Sequence, residues 1–502
     1  MKKLLLITTF LFTLTFYAQN NPDFYLAPNG VTCMCTEAEF GDTGTLTING
    51  EAKTLTKRTE TELRNLAIID IDDPQIALTC TSGITDMNDL FNGFNGNISS
   101  FNQNLEHWDV SQVTDMINMF RDASSFNQPL NNWDVSQVSN MLQMFYETTS
   151  FDQPLNNWDV SNVTEMPRMF YAATSFDQPL NNWDVSNVTD MGSMFSLATS
   201  FDQALDNWDV SNVTDMRSMF ANASSFNQPL DNWDVSNVTD IRNMFAGASS
   251  FNYPVNNWDV SNVTDMVSMF VGASLFNQPL NNWDVSQVSN MLQMFYETTS
   301  FDQPLNSWDV SQVTNMFQMF SLATSFDQAL DNWDVSNVTD MRSMFAFVSS
   351  FNQPLYNWDV SQVTNMGNMF NNATSFNQDL SGWCVEQIPD EPQDFAVNSV
   401  LQIDFFPNWG AECVLSTTNP ETIGFNILIY PNPSNSKVFI ENDGQIILSK
   451  IKLIDMLGRD IKTLSASQIT KGLDVSGIEA GNYFVQFTTV NDQQFVKRLI
   501  VN

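Results

Sequence analysis

The chain has 502 residues, with 57 acidic side chains against 19 basic ones and a net charge of −38. Residues 101–375 contain no lysine and only Arg121, Arg168, Arg217, Arg242 and Arg342. This argues against nucleic acid, whose phosphates need cationic partners, and disfavours bare anionic lipid.

In chain order, residues 1–3 are basic, 4–16 are apolar, and Ala18 precedes a cleavable position. This pattern predicts a secretory signal peptide over 1–18, and so an exported protein. No later stretch has the roughly 18 uninterrupted apolar residues of a transmembrane helix. Residues 19–80 read as a small N-terminal domain, with strand-like pieces at 44–49 and 66–71. Cys80 is expected to pair with Cys33 or Cys35, leaving one thiol over. A zinc site on Cys33 and Cys35 lacks a fourth ligand, since His107 is the sole histidine. Residues 81–100 begin TSGITDMNDLF and read as a degenerate N-cap repeat, out of phase with the full repeats after it.

Residues 101–388 form a 25-residue repeat array. Trp108 returns as Trp133, Trp158, Trp183 and onward to Trp383, with nothing inserted or deleted. A fixed period of this size marks stacked repeats, each of which needs neighbours to bury its apolar face. Residues 126–150, FNQPLNNWDVSQVSNMLQMFYETTS, recur letter for letter at 276–300.

Within one repeat, Trp183 and Val185 alternate with Asn182 and Asp184, the two-residue period of a half-buried strand. Met191, Met194, Phe195 and Ala198 then fall at helical spacing. Thr189 serves as N-cap, Asp190 lies in the first turn, and Pro167 of another repeat is accepted near the same start. The predicted fold class is an α/β repeat solenoid, strand–turn–short helix in each repeat, followed by a small all-β sandwich. Strands pairing about 4.8 Å apart would make about twelve repeats a rod roughly 55–60 Å long.

The Met pairs lie on the apolar stripe and read as core filler rather than copper ligands. His107 occupies a position that holds Asn132 or Asn157 elsewhere, and reads as a ladder member rather than a general base. Gln at position 3 and Asn at position 7 are expected to form stacked amide ladders. The Asp ladder from Asp109 to Asp359 has two readings. Each Asp accepts the N–H two residues on, as an Asx-turn, or stacked carboxylates hold calcium, with Asp159, Asp184 and Asp209 as weak candidates. No phosphate loop, zinc signature or separate acid pair stands apart from the repeat. A glycosidase needs two individual carboxylates. No catalytic residue and no other cofactor is expected, and the chain reads as a non-enzyme.

Variation between repeats gathers after each first Met and after each Met-Phe. The aromatic residues there, Tyr146, Tyr171, Tyr296 and Phe317, are the ligand-face candidates, because aromatics are favoured at binding surfaces.

At the end of the array Cys384 replaces the Asp of the full repeats and is expected to pair with Cys413, clamping a polar cap over 389–415. Residues 416–424 form a Thr/Ser/Pro/Asn linker. Beyond it basic and acidic residues balance, and strand-like runs at 426–430, 437–441, 450–455, 483–488 and 495–501 predict an all-β sandwich over 425–502, with Gly444, Gly458 and Gly481 as turn signals.

Two parts of the chain resemble known families. The motif F-N-Q-P-L-x-x-W-D-V-S-x-V-T-x-M-x-x-M-F is similar to that of the BspA-like leucine-rich-repeat surface proteins, which implies surface binding and adhesion without naming a ligand. The tail resembles the type A C-terminal sorting domain of the type IX secretion system. The matching residues include Tyr430, Pro431, Asn432 and Pro433, then Gly458, Gly481 and Lys497. That resemblance implies the type IX machinery as partner, export across the outer membrane, and release or attachment at the cell surface. The reading is thus an adhesion scaffold for cells, matrix protein or a glycan polymer. Its rivals are a structural spacer or surface-layer component and, more remotely, a polysaccharide hydrolase.

Overall fold

A computed structural model describes residues 21–92, 98–412 and, in the tail, 427–430, 434–442, 448–455, 459–465, 472–489 and 494–501. The chain divides into two compact units, Met1–Glu412 and Cys413–Asn502.

The first unit opens with a short hairpin, β1 (Tyr25–Leu26) with β2 (Cys33–Met34). A longer one follows, β3 (Thr43–Ile48) with β4 (Glu51–Lys57). Its turn is Asn49-Gly50, both at positive φ, as a tight two-residue hairpin turn requires. Helix α1 (Glu60–Ile69) comes next, started by a capping box between Thr59 and Glu62. Here the strand-like reading of 66–71 is corrected: the run Leu66 to Ile69 is the end of α1, its helical fate set by the cap upstream. Strand β5 (Thr79–Cys80) then pairs parallel with β4.

The repeats overturn the α/β solenoid reading. Among the described residues α1 is the one α-helix, and no repeat contains one. The segment predicted as helix is a pair of tight turns. In the repeat 151–175, the N–H of Met169 donates to Met166 and that of Ala173 to Phe170. Arg168 and Ala172, third in each turn, have φ of 56° and 54°. Positive φ at the third residue is the mark of a type II turn, and Pro167 sits second, where such turns favour proline. Left-handed residues cannot continue an α-helix. The N–H groups of Met166, Arg168, Phe170 and Ala172 go instead to the carbonyls of Asp190, Gly192, Met194 and Ser196 in the next repeat. An intrahelical ladder is therefore exchanged for one between repeats.

The predicted strand is also displaced. Around Trp183 the chain turns, with Trp183 N–H donating to Leu180 and Val188 N–H to Val185. The parallel bridges between repeats lie at the position that was assigned to the helix start: Asp115 to Asn140, Asn140 to Glu165, Glu165 to Asp190 and onward.

The apolar positions do pack as columns. Phe145 and Phe170 lie 5.5 Å apart at 6°, and Trp133 and Trp158 lie 6.5 Å apart at 1°. Each indole N–H from Trp133 to Trp383 donates to the position-5 carbonyl of the repeat before, as Trp183 does to Leu155 at 3.0 Å. Met191, Met194, Phe195 and Ala198 are fully buried.

The array is closed at both ends by imperfect copies. Met87, Asp89 and Phe91 donate to Asp115, Ile117 and Met119, so the degenerate segment supplies one more layer. At the far end Asn368, Phe370 and Asn372 donate to Gln393, Phe395 and Val397, although the sequence motif has gone. Phe395 meets Phe370 edge-on at 86° and is itself met edge-on by Phe406 and Trp409. The flat stacking that would invite another layer stops there.

The second unit contains two sheets, β6 (Ile427–Tyr430), β7 (Lys437–Asn442) and β10 (Leu473–Asp474) in one, and β8 (Leu448–Asp455), β9 (Asp460–Ser465), β11 (Gly481–Thr489) and β12 (Gln494–Val501) in the other. Val438 and Leu473 share one buried cluster with Ile451, Leu453, Val485, Phe487 and Leu499. Strand β9 was missed by the sequence reading, and Gly481 opens a strand rather than a turn.

Candidate functional site

The two turns of each repeat hold the four positions that vary, some of them exposed, as Arg217 and Asn222 are, and others buried, as Ser196, Ala221, Ser268, Ser321 and Ala346 are. Residues such as Gln143 and Glu147 take left-handed φ, whereas Leu142 and Tyr146 precede them. All five arginines of residues 101–375 fall on this turn face.

Tyr146 and Tyr171 are brought together, their rings 4.6 Å apart at 5°. The Arg121 guanidinium lies 4.2 Å from the Tyr146 ring and donates to Gln143 Oε1 at 2.6 Å. Burial, helped by the Glu147 carboxylate, pushes the Tyr146 phenol above its ordinary range. Farther along, Arg342 lies 4.7 Å over the Phe317 ring, and Gln293 donates to Gln318 at 2.8 Å. Tyr296 stands one repeat before Phe317. The four ligand-face candidates thus occupy one face but two separate stretches of it. The arginine partners were visible as isolated cations in an otherwise acidic array.

Beside them runs the bridge column of Asp115, Glu165, Asp190, Asp215, Asp240 and Asp265. Burial raises the Asp215 carboxyl, and its neighbours Asp190 and Asp240 add to the rise. Arg217, Arg242 and Arg342 pair with Asp215, Asp240 and Asp340 two residues earlier.

On the other side of the repeat the Asp ladder behaves as Asx-turns. Asp159 Oδ1 accepts the Ser161 N–H and hydroxyl at 3.1 and 2.6 Å, and Asp184 and Ser186 repeat this. Asp209 likewise accepts the Ser211 N–H. Among the described residues no group of three or more His, Cys, Asp or Glu is placed to hold a metal. The amide ladders form with a different partner than expected: Gln153 and Gln178 donate to Asn127 and Asp152, at position 2 of the preceding repeat.

His107 is buried at the junction with the N-terminal segment, where Nε2 lies 2.8 Å from the Ala77 carbonyl. Burial, reinforced by Lys53, lowers its pKa to about 4. Cys35 pairs with Cys80, and Cys33 is the remaining thiol, its pKa pushed up to about 12 by burial and by Asp109. Cys384 is disulfide-bonded, while Cys413 lies outside the described residues.

In the tail, Tyr430 is exposed beside Phe439, Gly481 begins β11, and Lys497 pairs with Val485 across β11 and β12. Pro431, Asn432, Pro433 and Gly458, like Gly444, lie outside the described residues. Among the described residues no helix is long and apolar enough to cross a membrane.

A stack of near-identical repeats followed by a separate β unit defines a repeat protein, and comparison with family models agrees. The chain belongs to the family described as "Mycoplasma protein of unknown function, DUF285", whose model matches residues 67–180, 153–252, 227–328 and 304–409. Residues 428–502 match the secretion system C-terminal sorting domain, which directs export by type IX secretion to the cell surface or beyond. No curated protein and no solved structure gives a significant match.

Proposed function

We propose that this protein is a surface-displayed or secreted adhesion scaffold that engages its ligand through the turn face of the repeats. One observation carries this: buried positions barely change between repeats, while the turn face carries every cation of residues 101–375 and the ligand-face aromatics. Aromatic and arginine side chains are the types that dominate binding energy at interfaces. The sorting tail supports delivery to a place where such a face meets other surfaces. The repeat motif's similarity to BspA-like surface proteins is consistent with this role. In this reading the scaffold does no chemistry of its own, since the ladder acids from Asp109 to Asp359 recur in every full repeat.

The test is adhesion of the purified chain to whole cells, matrix proteins and immobilised polysaccharides. A variant with Tyr146, Tyr171 and Tyr296 replaced by Ser should lose binding while melting as the parent does. Binding that survives this change but fails when Asp159, Asp184 and Asp209 become Asn would place the ligand on the opposite side. A chain that adheres to nothing would be a spacer.

A further inference from the structure

Residues 126–150 and 276–300 are identical, so Leu142, Gln143, Tyr146 and Glu147 have twins in Leu292, Gln293, Tyr296 and Glu297. Their surroundings differ, because each repeat borrows its neighbours. Tyr146 is flanked by the Arg121 guanidinium from the repeat before and by the Tyr171 ring from the repeat after. The corresponding neighbours of Tyr296 are Val271 and Ser321, and among the described residues no ring or cation stacks on it. One tyrosine is sandwiched by a ring and a cation of the protein itself, while its twin, half-buried like it, stacks with neither.

Around Tyr296 the rest of the patch suits one kind of ligand. Phe317 adds a second ring in the next repeat. Gln293 and Gln318 form an amide pair beside them, and Arg342 is held by Asp340 at 2.6 Å while covering Phe317 at 4.7 Å. We propose that Tyr296, Phe317, Gln318 and Arg342 form a subsite for a neutral, hydroxyl-rich polysaccharide. The inference rests on the turn face being the adhesive one.

The chemistry selects this class over its rivals. A pyranose presents a C–H face, which packs on an aromatic ring, and a rim of hydroxyls that both donate and accept. The amides and the Arg342–Asp340 pair offer donors and acceptors side by side. A polyanion would meet a cation already neutralised by Asp340, in a chain of net charge −38. A folded protein needs roughly 800 Å² on each side. The patch spans three repeats, whose rings step by only 5.6–5.8 Å.

Affinity electrophoresis of the full chain in gels containing glucomannan, laminarin or arabinoxylan, with alginate and heparin as acidic controls, tests the assignment. At least one neutral polymer should retard the chain, and the acidic ones should not. Tyr296→Ala should weaken retardation about tenfold, and Gln318→Ala several-fold, while Asn187→Ala, outside the turn face, stays within twofold of the parent. Melting of each variant at the temperature of the parent guards against misfolding. No loss in Tyr296→Ala and Gln318→Ala, an equal loss in Asn187→Ala, or no retardation by any neutral polymer overturns the proposal. If the turn-face variants then still abolish adhesion to cells or matrix protein, the adhesive role stands without the glycan. If they do not, both readings fall.

Discussion

The indole N–H of Trp233 donates to the carbonyl of Leu205, 3.0 Å away in the repeat before, whereas that of Trp108 is buried with no acceptor among the described residues. The two residues occupy equivalent positions, but Trp108 comes after the degenerate segment, whose described residues supply no matching carbonyl.

The two positions should therefore differ in stability. Trp233→Phe removes one of the two donors to the Leu205 carbonyl, which keeps the Trp208 N–H at 3.1 Å, a loss of roughly 0.5–1.5 kcal/mol beyond the lost volume. Trp108→Phe breaks no such bond. Urea unfolding of the two variants should show the first to be the more destabilised, by about 1 kcal/mol.

The left-handed residues give a second comparison. Ser218 has φ of 54°, and its neighbour Arg217 is not left-handed. Ser218→Val should cost about 2 kcal/mol, since a β-branched side chain clashes there, whereas Arg217→Val should cost well under half of that. Ser218→Gly should be neutral or better. Melting temperatures in that order support the paired turns, and equal effects of the two valines would contradict them.

His107 makes stability fall in mild acid. Its pKa drops from 6.5 to about 4 on folding, so the unfolded chain binds a proton that the folded chain refuses. The contribution is complete above pH 6.5 and is lost progressively as pH falls to about 4, on the order of 3 kcal/mol in all. His107→Asn, the residue most repeats carry there, should flatten that slope in unfolding measured between pH 7 and 4.

Calcium should leave the array unmoved. Each ladder Asp already spends Oδ1 on the serine two residues on, as Asp184 does on Ser186. The melting temperature in millimolar calcium should equal that in EDTA. A rise of several degrees with calcium, lost in Asp184→Asn, would restore the metal reading.

Much of the architecture was legible because burial repeats with the sequence: Trp183, Met191 and Phe195 were assigned to the core from spacing alone. The error was one of period. Met191, Met194, Phe195 and Ala198 have helical spacing, but two successive tight turns also place every third or fourth residue inward. The distinguishing signal lay in the intervening positions. Positions of the Arg168 and Ala172 type hold residues such as Asn, Gln, Ser, Asp, Glu, Leu or Gly in other repeats and never Val, Ile, Thr or Pro, whereas the residue before Arg168 is elsewhere Ile117 or Val267. A helix surface would not exclude β-branched residues from just those two places. The pairing of Arg121 with Tyr146 was hidden for another reason: contacts across repeats join residues twenty-five apart, and only the stacking register reveals them.

Because each ladder bond reaches only the adjoining repeat, the array has no long-range register to protect. Two identical segments begin 150 residues apart, at 126 and 276. Unequal recombination between their coding sequences would delete or duplicate a block of six repeats, and every junction would be one the fold already contains. Such a gene lengthens or shortens the array by six repeats in a single event. Cells of one population would then carry the same turn face on stacks of different length.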